Sequence, residues 1–492
     1  MNDTDARTPF ILGTALVLAM IGDYALRGGP LGLGFSLWAA AGIGGYLVLR
    51  LRLGQPVAVD ALPFATVGLA CSALVAVRAS PALTALNVGG TLSAVILLAV
   101  RTRAVALRVS PIRDYLLGLA EVLLDAGTSA FGPLARTAGR LTAGRPDARP
   151  RTLALARGAA LTLPAFAFFG FLLVAADASF ERAFLNVMSI DAWTPVNHLV
   201  VILAITLAFA GVLLGRLAHG EKEAAGQPAS RASSFGLVET AMLVGTLDLL
   251  FAAFVFLQIP HFFGGAWTLA STPDLTAAEY ARRGFFELLL VEAVAVPLLL
   301  GAELMMRGCP HRQVTVFRVI AGVNLALLAA IAASAALRLV LYGSAFGLTE
   351  SRVYAGAALV WLVSVLVALA TTVLSGRRER FAYATILAAF AVLLGLNTAN
   401  PDALIATTNL ARATAASRAE SGTSSFDAGY NARLSEDATP ALVRGLGSLG
   451  RPDAARLLAA LQQERTSESA HGWRAWNLSR HRAEGLALPT SR

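Results

Sequence analysis

The chain has 492 residues, of which 56% are hydrophobic and 14% charged, and its mean hydropathy is +0.65. A soluble domain carries about 25% charged residues, and no core of this size absorbs so much apolar surface, so lipid must solvate it. The formal net charge is +9, but the basic residues fall in short stretches between apolar runs, which excludes a nucleic-acid-binding domain. Lys222 is the single lysine among 40 basic residues, and this arginine and alanine bias matches a GC-rich bacterial genome. Cys71 and Cys309 lie in or beside separate apolar runs and imply neither a disulfide framework nor a metal site. The first residues lack the basic region of a cleavable signal peptide, so the first apolar run is expected to be retained.

A membrane-spanning helix needs about 20 mostly apolar residues. The candidates are Pro9–Leu26, Leu31–Leu49, Ala61–Val77, Pro81–Val100, Leu153–Ala175, Val196–Leu214, Leu237–Leu257, Phe286–Leu304, Val316–Leu337, Val353–Leu374 and Phe381–Leu396. The expected fold is therefore all-α: a polytopic bundle of about eleven spans with a small helical tail. Three parts are expected: 1–152, four spans with an arginine-rich segment; 153–396, a seven-span core; and 397–492, the tail.

Arginine and lysine are retained on the cytoplasmic side. The 101–152 stretch is the richest in arginine, and placing it inside puts Arg50 and Arg52, Arg216 and Lys222, Arg307 and Arg312, and Arg377, Arg378 and Arg380 on the same side. The N-terminus is then cytoplasmic and the tail extracytoplasmic, in a bacterial cytoplasmic membrane. Within the arginine-rich stretch, Tyr115, Leu116, Leu119, Val122 and Leu123 form the apolar stripe of a helix that lies in the membrane interface.

After Asn397 the chain turns polar. Asn400-Pro401-Asp402 reads as a helix start, with Asn as N-cap, Pro next and an acid in the first turn. A second helix is expected after Ser435, with Glu436 and Asp437 in its first turn, and a third around Leu457, Leu458 and Leu461. Trp473 and Trp476 fall three apart, the spacing of one helix face.

Ionisable groups inside a bilayer are costly and mark function by default. Asp248 and Glu292 sit deep in two successive spans and form a candidate pair for a proton or cation, against the plainer reading that each bonds to a neighbouring helix. On the outer side, span ends contribute Asp177, Gln258, His261, Tyr280, Arg282, Arg283, Glu287, Arg338, Tyr342, Glu350, Arg352 and Asn397. Guanidinium groups there suit a small anionic or lipid-linked ligand. The plainer reading is a capping box at Thr276 and Glu279, with arginines snorkelling to headgroups. No phosphate-cradling loop, serine-hydrolase elbow or zinc-protease motif occurs. No cofactor is implied, and no catalytic residue is assigned.

Seven stretches in order carry a family resemblance: 175–180, 258–265, 279–287, Tyr342 with 347–352, 400–406, 434–438 and 473–480. With these the chain resembles a group of bacterial membrane proteins built on a domain of unknown function, type 4153, and its relative, type 4173. His261-Phe262 stands before Gly264-Gly265 where an aromatic such as tyrosine is expected. The resemblance implies a multipass fold with a polar extracytoplasmic C-terminus, and it names no reaction. Three functions are expected in order: a non-enzymatic carrier or sensor with an outer-face ligand site, an enzyme on a lipid-linked or envelope substrate, and a scaffold. The enzyme reading takes Asp177, Glu287 or Glu350 as base and Arg283 or Arg338 as the anion-holding group. Beyond the lipid bilayer no partner follows, and the oligomeric state is open.

Overall fold

Proline and glycine punctuate the apolar runs, and in the computed structural model the helices begin and end at them. The structure describes residues 3–27, 29–55, 57–100, 106–128, 202, 206, 237–270, 285–306, 309–418, 426–467 and 472–488. Among these the chain forms helices and turns and no strand. In chain order the helices are α1 (Asp3–Leu26), α2 (Leu33–Arg52), α3 (Leu62–Val75), α4 (Pro81–Val100), α5 (Ile112–Thr128), α6 (Leu237–Ala270), α7 (Phe285–Met305) and α8 (His311–Phe346). They continue with α9 (Glu350–Ala368, extended by a π turn to Val373), α10 (Phe381–Ala399), α11 (Pro401–Arg418), α12 (Ala428–Ala432), α13 (Thr439–Gly445), α14 (Arg451–Ser467) and α15 (Leu478–Glu484).

Among the described residues five helical stretches are long and apolar enough to cross a membrane: Leu33–Arg52, Pro81–Val100, His311–Ser344, Glu350–Val373 and Arg378–Ala399. Phe10–Leu26, Val59–Val75 and Thr240–Ala253 are shorter apolar helices. The expected spans at 153–175 and 196–214 lie outside the described residues, so the figure of eleven stays an expectation. Exposed Val319, Val360, Val367 and Leu249 coat the outer faces of these helices, as a lipid-solvated bundle requires.

Among the described residues two large apolar cores hold the bundle, with a smaller cluster of Phe35, Ala39 and Val75 beside them. One joins Ile43, Phe64, Leu98 and Leu107 to Phe390, and the other joins Phe251, Leu299, Phe317, Leu328 and Leu369. Helix α10 belongs to both, since Phe381 packs in the second and Ala382 and Phe390 in the first. The Phe64 and Tyr383 rings meet edge to face at 5.6 Å. A third core, Ile405, Leu410, Leu442 and Leu457, lies within the tail, with Leu348 and Val353 of the α8–α9 region packed against it.

The turns fall on two sides. On one side, the tail touches the ends at 27–33, 76–80, 347–350 and 397–402. Leu33 N–H donates to the Trp476 carbonyl at 2.9 Å, and Leu478 N–H donates to that of Ala76 at 2.8 Å. On the other side, the Tyr383 hydroxyl reaches the Asp60 carbonyl at 3.5 Å and Arg378 pairs with Glu303 at 3.2 Å.

Four sequence expectations change. Helix α6 runs on through Gln258, His261 and Gly265, which were expected to follow the span. Asn400 does not N-cap α11. It is the left-handed C-cap of α10, with φ 53°, and its Oδ1 is buried without a hydrogen-bond partner. An N-cap needs an extended backbone to aim its side chain at the next turn. The helix expected after Ser435 starts only at Thr439, because 436–438 form a turn. Trp473 and Trp476 do not share a helix face, since the 3-10 turn ends at Ala475 and Trp476 is extended. The expected α5 and the helix around Leu457 both form.

Gly347 closes α8 at φ +81°, ψ 177°, a backbone region almost exclusive to glycine, and a Cβ there would strike the Asn409 and Arg412 side chains. Gly54 also has positive φ, +70°, but faces open space. Gly347→Ala should lower stability by about 1–3 kcal/mol, read from thermal melts in detergent, and Gly54→Ala should cost less.

Candidate functional site

The turn between α3 and α4, Arg78-Ala79-Ser80, is where the tail is seated. A helix start leaves backbone N–H groups without partners, and a carboxylate placed there is favoured by the helix dipole. Here the carboxylate comes from the tail. Asp437 Oδ2 accepts from the N–H groups of Ala79 at 2.7 Å and Ser80 at 3.0 Å. Its Oδ1 accepts from the Ser479 hydroxyl at 2.5 Å and lies 3.5 Å from Arg78 Nη1, and the side chain is fully buried. Hydrogen bonds to an ionised acceptor are roughly twice as strong as neutral ones.

The same turn is held from its carbonyl side. Asn477 Nδ2 donates to the carbonyls of Val75 at 2.9 Å and Arg78 at 2.7 Å. Its Oδ1 accepts from the N–H groups of Ser479 and Arg480, so one side chain caps α15 and grips the α3–α4 turn together. Ser479 N–H donates to the Val77 carbonyl at 3.2 Å. Beneath them Arg78 Nη2 donates to the Asn397 carbonyl at 2.5 Å, and the Asn397 and Asn87 amides exchange hydrogen bonds of 2.8 and 2.9 Å.

Asp402, fully buried on α11, extends the network. Its Oδ2 accepts from the Ser435 hydroxyl at 2.5 Å and the Ser435 N–H at 3.2 Å, while Oδ1 has no hydrogen-bond partner. Burial raises its pKa above the usual carboxylate value, and the Ser435 bonds oppose that only in part. Arg480 closes the edge, donating to Glu436 at 3.1 Å and to the Ala475 carbonyl at 2.7 Å.

The expected outer residues divide. Asp177, Tyr280, Arg282 and Arg283 lie outside the described residues. Gln258, His261 and Glu287 stand on α6 and α7, and their side chains also lie outside what is described. Tyr342, Glu350 and Arg352 come together at the α8–α9 turn, with Arg338 one helical turn before Tyr342. The Arg352 guanidinium sits 4.0 Å from the centre of the Tyr342 ring and donates to the Gly347 carbonyl. Glu350 N–H donates to the tail's Tyr430 hydroxyl at 3.0 Å. Asn397 belongs instead to the Arg78 network.

Asp248 accepts from Asn324 Nδ2 at 2.8 Å. Glu292 is fully buried, and neither carboxyl oxygen has a hydrogen-bond partner among the described residues. The two carboxylates are staggered in depth. Thr240 on α6 meets Met306 beside the end of α7 at 3.1 Å, and from there Asp248 lies about 12 Å and Glu292 about 21 Å along their helices, at 1.5 Å per residue.

The sequence reading missed Asp437 as a linchpin and passed over Arg78, Asn87 and Asn477. The signal was partial: 434–438 and 473–480 both carry the family resemblance. Only the fold shows that they meet at the α3–α4 turn.

Asp437→Ala strands Arg78 and two backbone donors in a buried place, a loss on the order of 3–5 kcal/mol. The tail should then be cut by protease in membranes at concentrations that leave the wild type intact. Asp402 gives a pH dependence of defined sign. A carboxyl with a raised folded pKa binds its proton more tightly when folded, so stability falls as pH rises from about 3.9, the unfolded value, through the folded value. Asp402→Asn should flatten that slope in melts taken across the acid range.

Comparison with known proteins gives one relationship. The model of a family described as Domain of unknown function (DUF4153) matches residues 64–445, most of the chain, including the α3–α4 turn, Asp402 and Asp437 but not Asn477 or Ser479. No curated protein and no solved structure matches the chain. The chain belongs to the DUF4153 family, which is defined by a domain of unknown function.

Proposed function

We propose that this is a multipass protein of the bacterial cytoplasmic membrane, N-terminus inside and tail outside, that works without catalysis as a sensor. A small anionic or lipid-linked ligand arriving on the tail side would alter the seat of α4, and α4 would carry the change to the amphipathic α5. The observation that carries this reading is the course of α4. It is one uninterrupted helix, Pro81–Val100, gripped at its start by Asp437 and packed at its end against α5. A Cβ on Gly118 of α5 would come within 2.6 Å of the Val100 side chain, and Tyr115 is buried with its hydroxyl 2.5 Å from the Leu107 carbonyl. Close-packed interiors transmit displacement in this way.

The orientation is supported by arginines on the side away from the tail, among them Arg50, Arg52, Arg108, Arg312, Arg377 and Arg380. Of the described outer residues, Glu350 meets the tail through its backbone N–H and Asn397 joins the Arg78 network beneath it, which favours a sensor over an enzyme with an open cleft. A carrier is the second reading, favoured by the unpartnered carboxyl of Glu292.

The test uses single cysteines at two exposed positions, Arg444→Cys in the tail and Arg377→Cys on the opposite side, with Cys71 and Cys309 replaced. An impermeant thiol reagent on intact cells should label the first and spare the second, and the reverse pattern would invert the topology. Leu117→Cys, exposed on α5, should change its labelling rate in inside-out vesicles when Asp437→Ala is added. An unchanged rate would remove the sensor reading.

A further inference from the structure

A groove of about 710 Å³ runs down the membrane face between α4, α9 and α10, and α5 closes its end away from the tail. Its wall on α4 extends from Leu86 to Val100, about 21 Å at 1.5 Å per residue. One leaflet of the hydrocarbon core is about 15 Å thick, half of the ~30 Å total. An occupant lying along the groove therefore passes the bilayer midplane. The wall is almost wholly apolar, built from residues such as Leu97, Ile386, Ala389, Phe390 and Leu393. Ser93 adds one exposed hydroxyl to the wall, and the other polar groups are already engaged. Thr385 donates to the Phe381 carbonyl at 2.8 Å, Trp361 donates to the Thr385 carbonyl at 3.3 Å, and the Tyr354 hydroxyl lies 3.4 Å from that of Ser80.

The closed end is different in charge. Tyr115 lines the groove and bonds to the carbonyl of Leu107, so Arg108 adjoins that end. The 107–109 turn packs against the 378–380 turn, which places Arg380 beside it, less than two helical turns before the lining residue Thr385. Arg108 and Arg380 are exposed and have no carboxylate partner among the described residues. Of the other charges at this end, Arg113 pairs with Asp114 and Arg378 with Glu303, while the half-buried Asp60, in the turn packed against 107–109, brings one carboxylate near Tyr115 and Tyr383.

We infer that this groove is a lipid site: it takes an acyl chain of an anionic phospholipid whose phosphate sits between Arg108 and Arg380. Apolar walls at membrane depth and unpaired guanidinium groups at the interface match the two halves of that molecule. The inference needs only that the bundle is embedded in lipid, so it stands apart from the sensor reading and from the orientation of the termini.

The test reconstitutes the full chain in vesicles of equal phosphatidylglycerol and phosphatidylcholine, re-extracts it in detergent, and weighs it by native mass spectrometry. The wild type should retain phosphatidylglycerol over phosphatidylcholine by on the order of tenfold. The surface pair Arg108→Gln with Arg380→Gln should lose that preference while still carrying lipid, and Ala389→Phe, which fills the groove, should carry none. Equal retention of both lipids by the wild type, or an unchanged preference in the double variant, would overturn the proposal. So would a lipid-free dimer mass, or an Ala389→Cys thiol inaccessible to a membrane-soluble maleimide, since another part of the chain or a second copy would then fill the groove.

Discussion

The carboxylate of Asp437, buried against the N–H groups of Ala79 and Ser80, joins two parts of the chain that are far apart in sequence. A polar tail at a membrane surface gains little from apolar contact with the spans and must be fixed by directional bonds. Breaking water contacts for such bonds is favourable only when every buried donor and acceptor finds a partner. The α3–α4 turn meets that condition at every backbone group named above, with Arg78 Nε as the exception among the described residues. Its N–H groups go to Asp437, its carbonyls to Asn477, Leu478 and Ser479, and the Arg78 guanidinium to Asp437 and the Asn397 carbonyl. Near the turn, Asp402 Oδ1 and Asn400 Oδ1 are also buried without a partner among the described residues.

From that seat the rest of the arrangement follows. With its first turn fixed, α4 stands upright between α3 and α10, and Gly90 lets it approach closely, since a Cβ there would meet Leu393 at 2.8 Å. Helix α10 packs into both span cores and leads directly into the tail through the left-handed Asn400. The tail is thus tied at its start by the chain itself and near its end by Asn477 and Ser479. Between those ties its own core of Ile405, Leu442 and Leu457 closes over Leu348. A tail held at both ends stays ordered at a surface where a free segment of its size would be marginal.

Much of this was legible in the sequence, for identifiable reasons. Hydropathy and length locate spans because lipid imposes one strong constraint on every residue of the segment, and α2, α4, α8, α9 and α10 stand where the apolar runs place them. The stripe of Tyr115 and Val122 announced α5 because a helix period repeats over several turns. The site was much less legible. Asp437 reads as an acid in the first turn of its own helix, and it does serve a helix start, but that of α4, 357 residues away from it. Asn400 reads as a cap by residue type, while its backbone, set by the sharp exit from α10, rules that out. Local chemistry gives the kind of bond a residue forms, and only the fold gives the partner. The family match runs from α3 through α13, so it covers the α3–α4 turn and about half of the tail and stops before Asn477 and Ser479.

The central claim is that the α3–α4 turn and the tail form one cooperative unit through Asp437. Hydrogen exchange read by mass spectrometry tests it on the unmodified chain, because segments that open together exchange together. Peptides covering residues 76–84 and 438–446 should show matching protection, and both should lose it at the same denaturant concentration. Rapid exchange at 76–84 while 438–446 stays protected would show that the tail does not hold the turn, and would contradict the account.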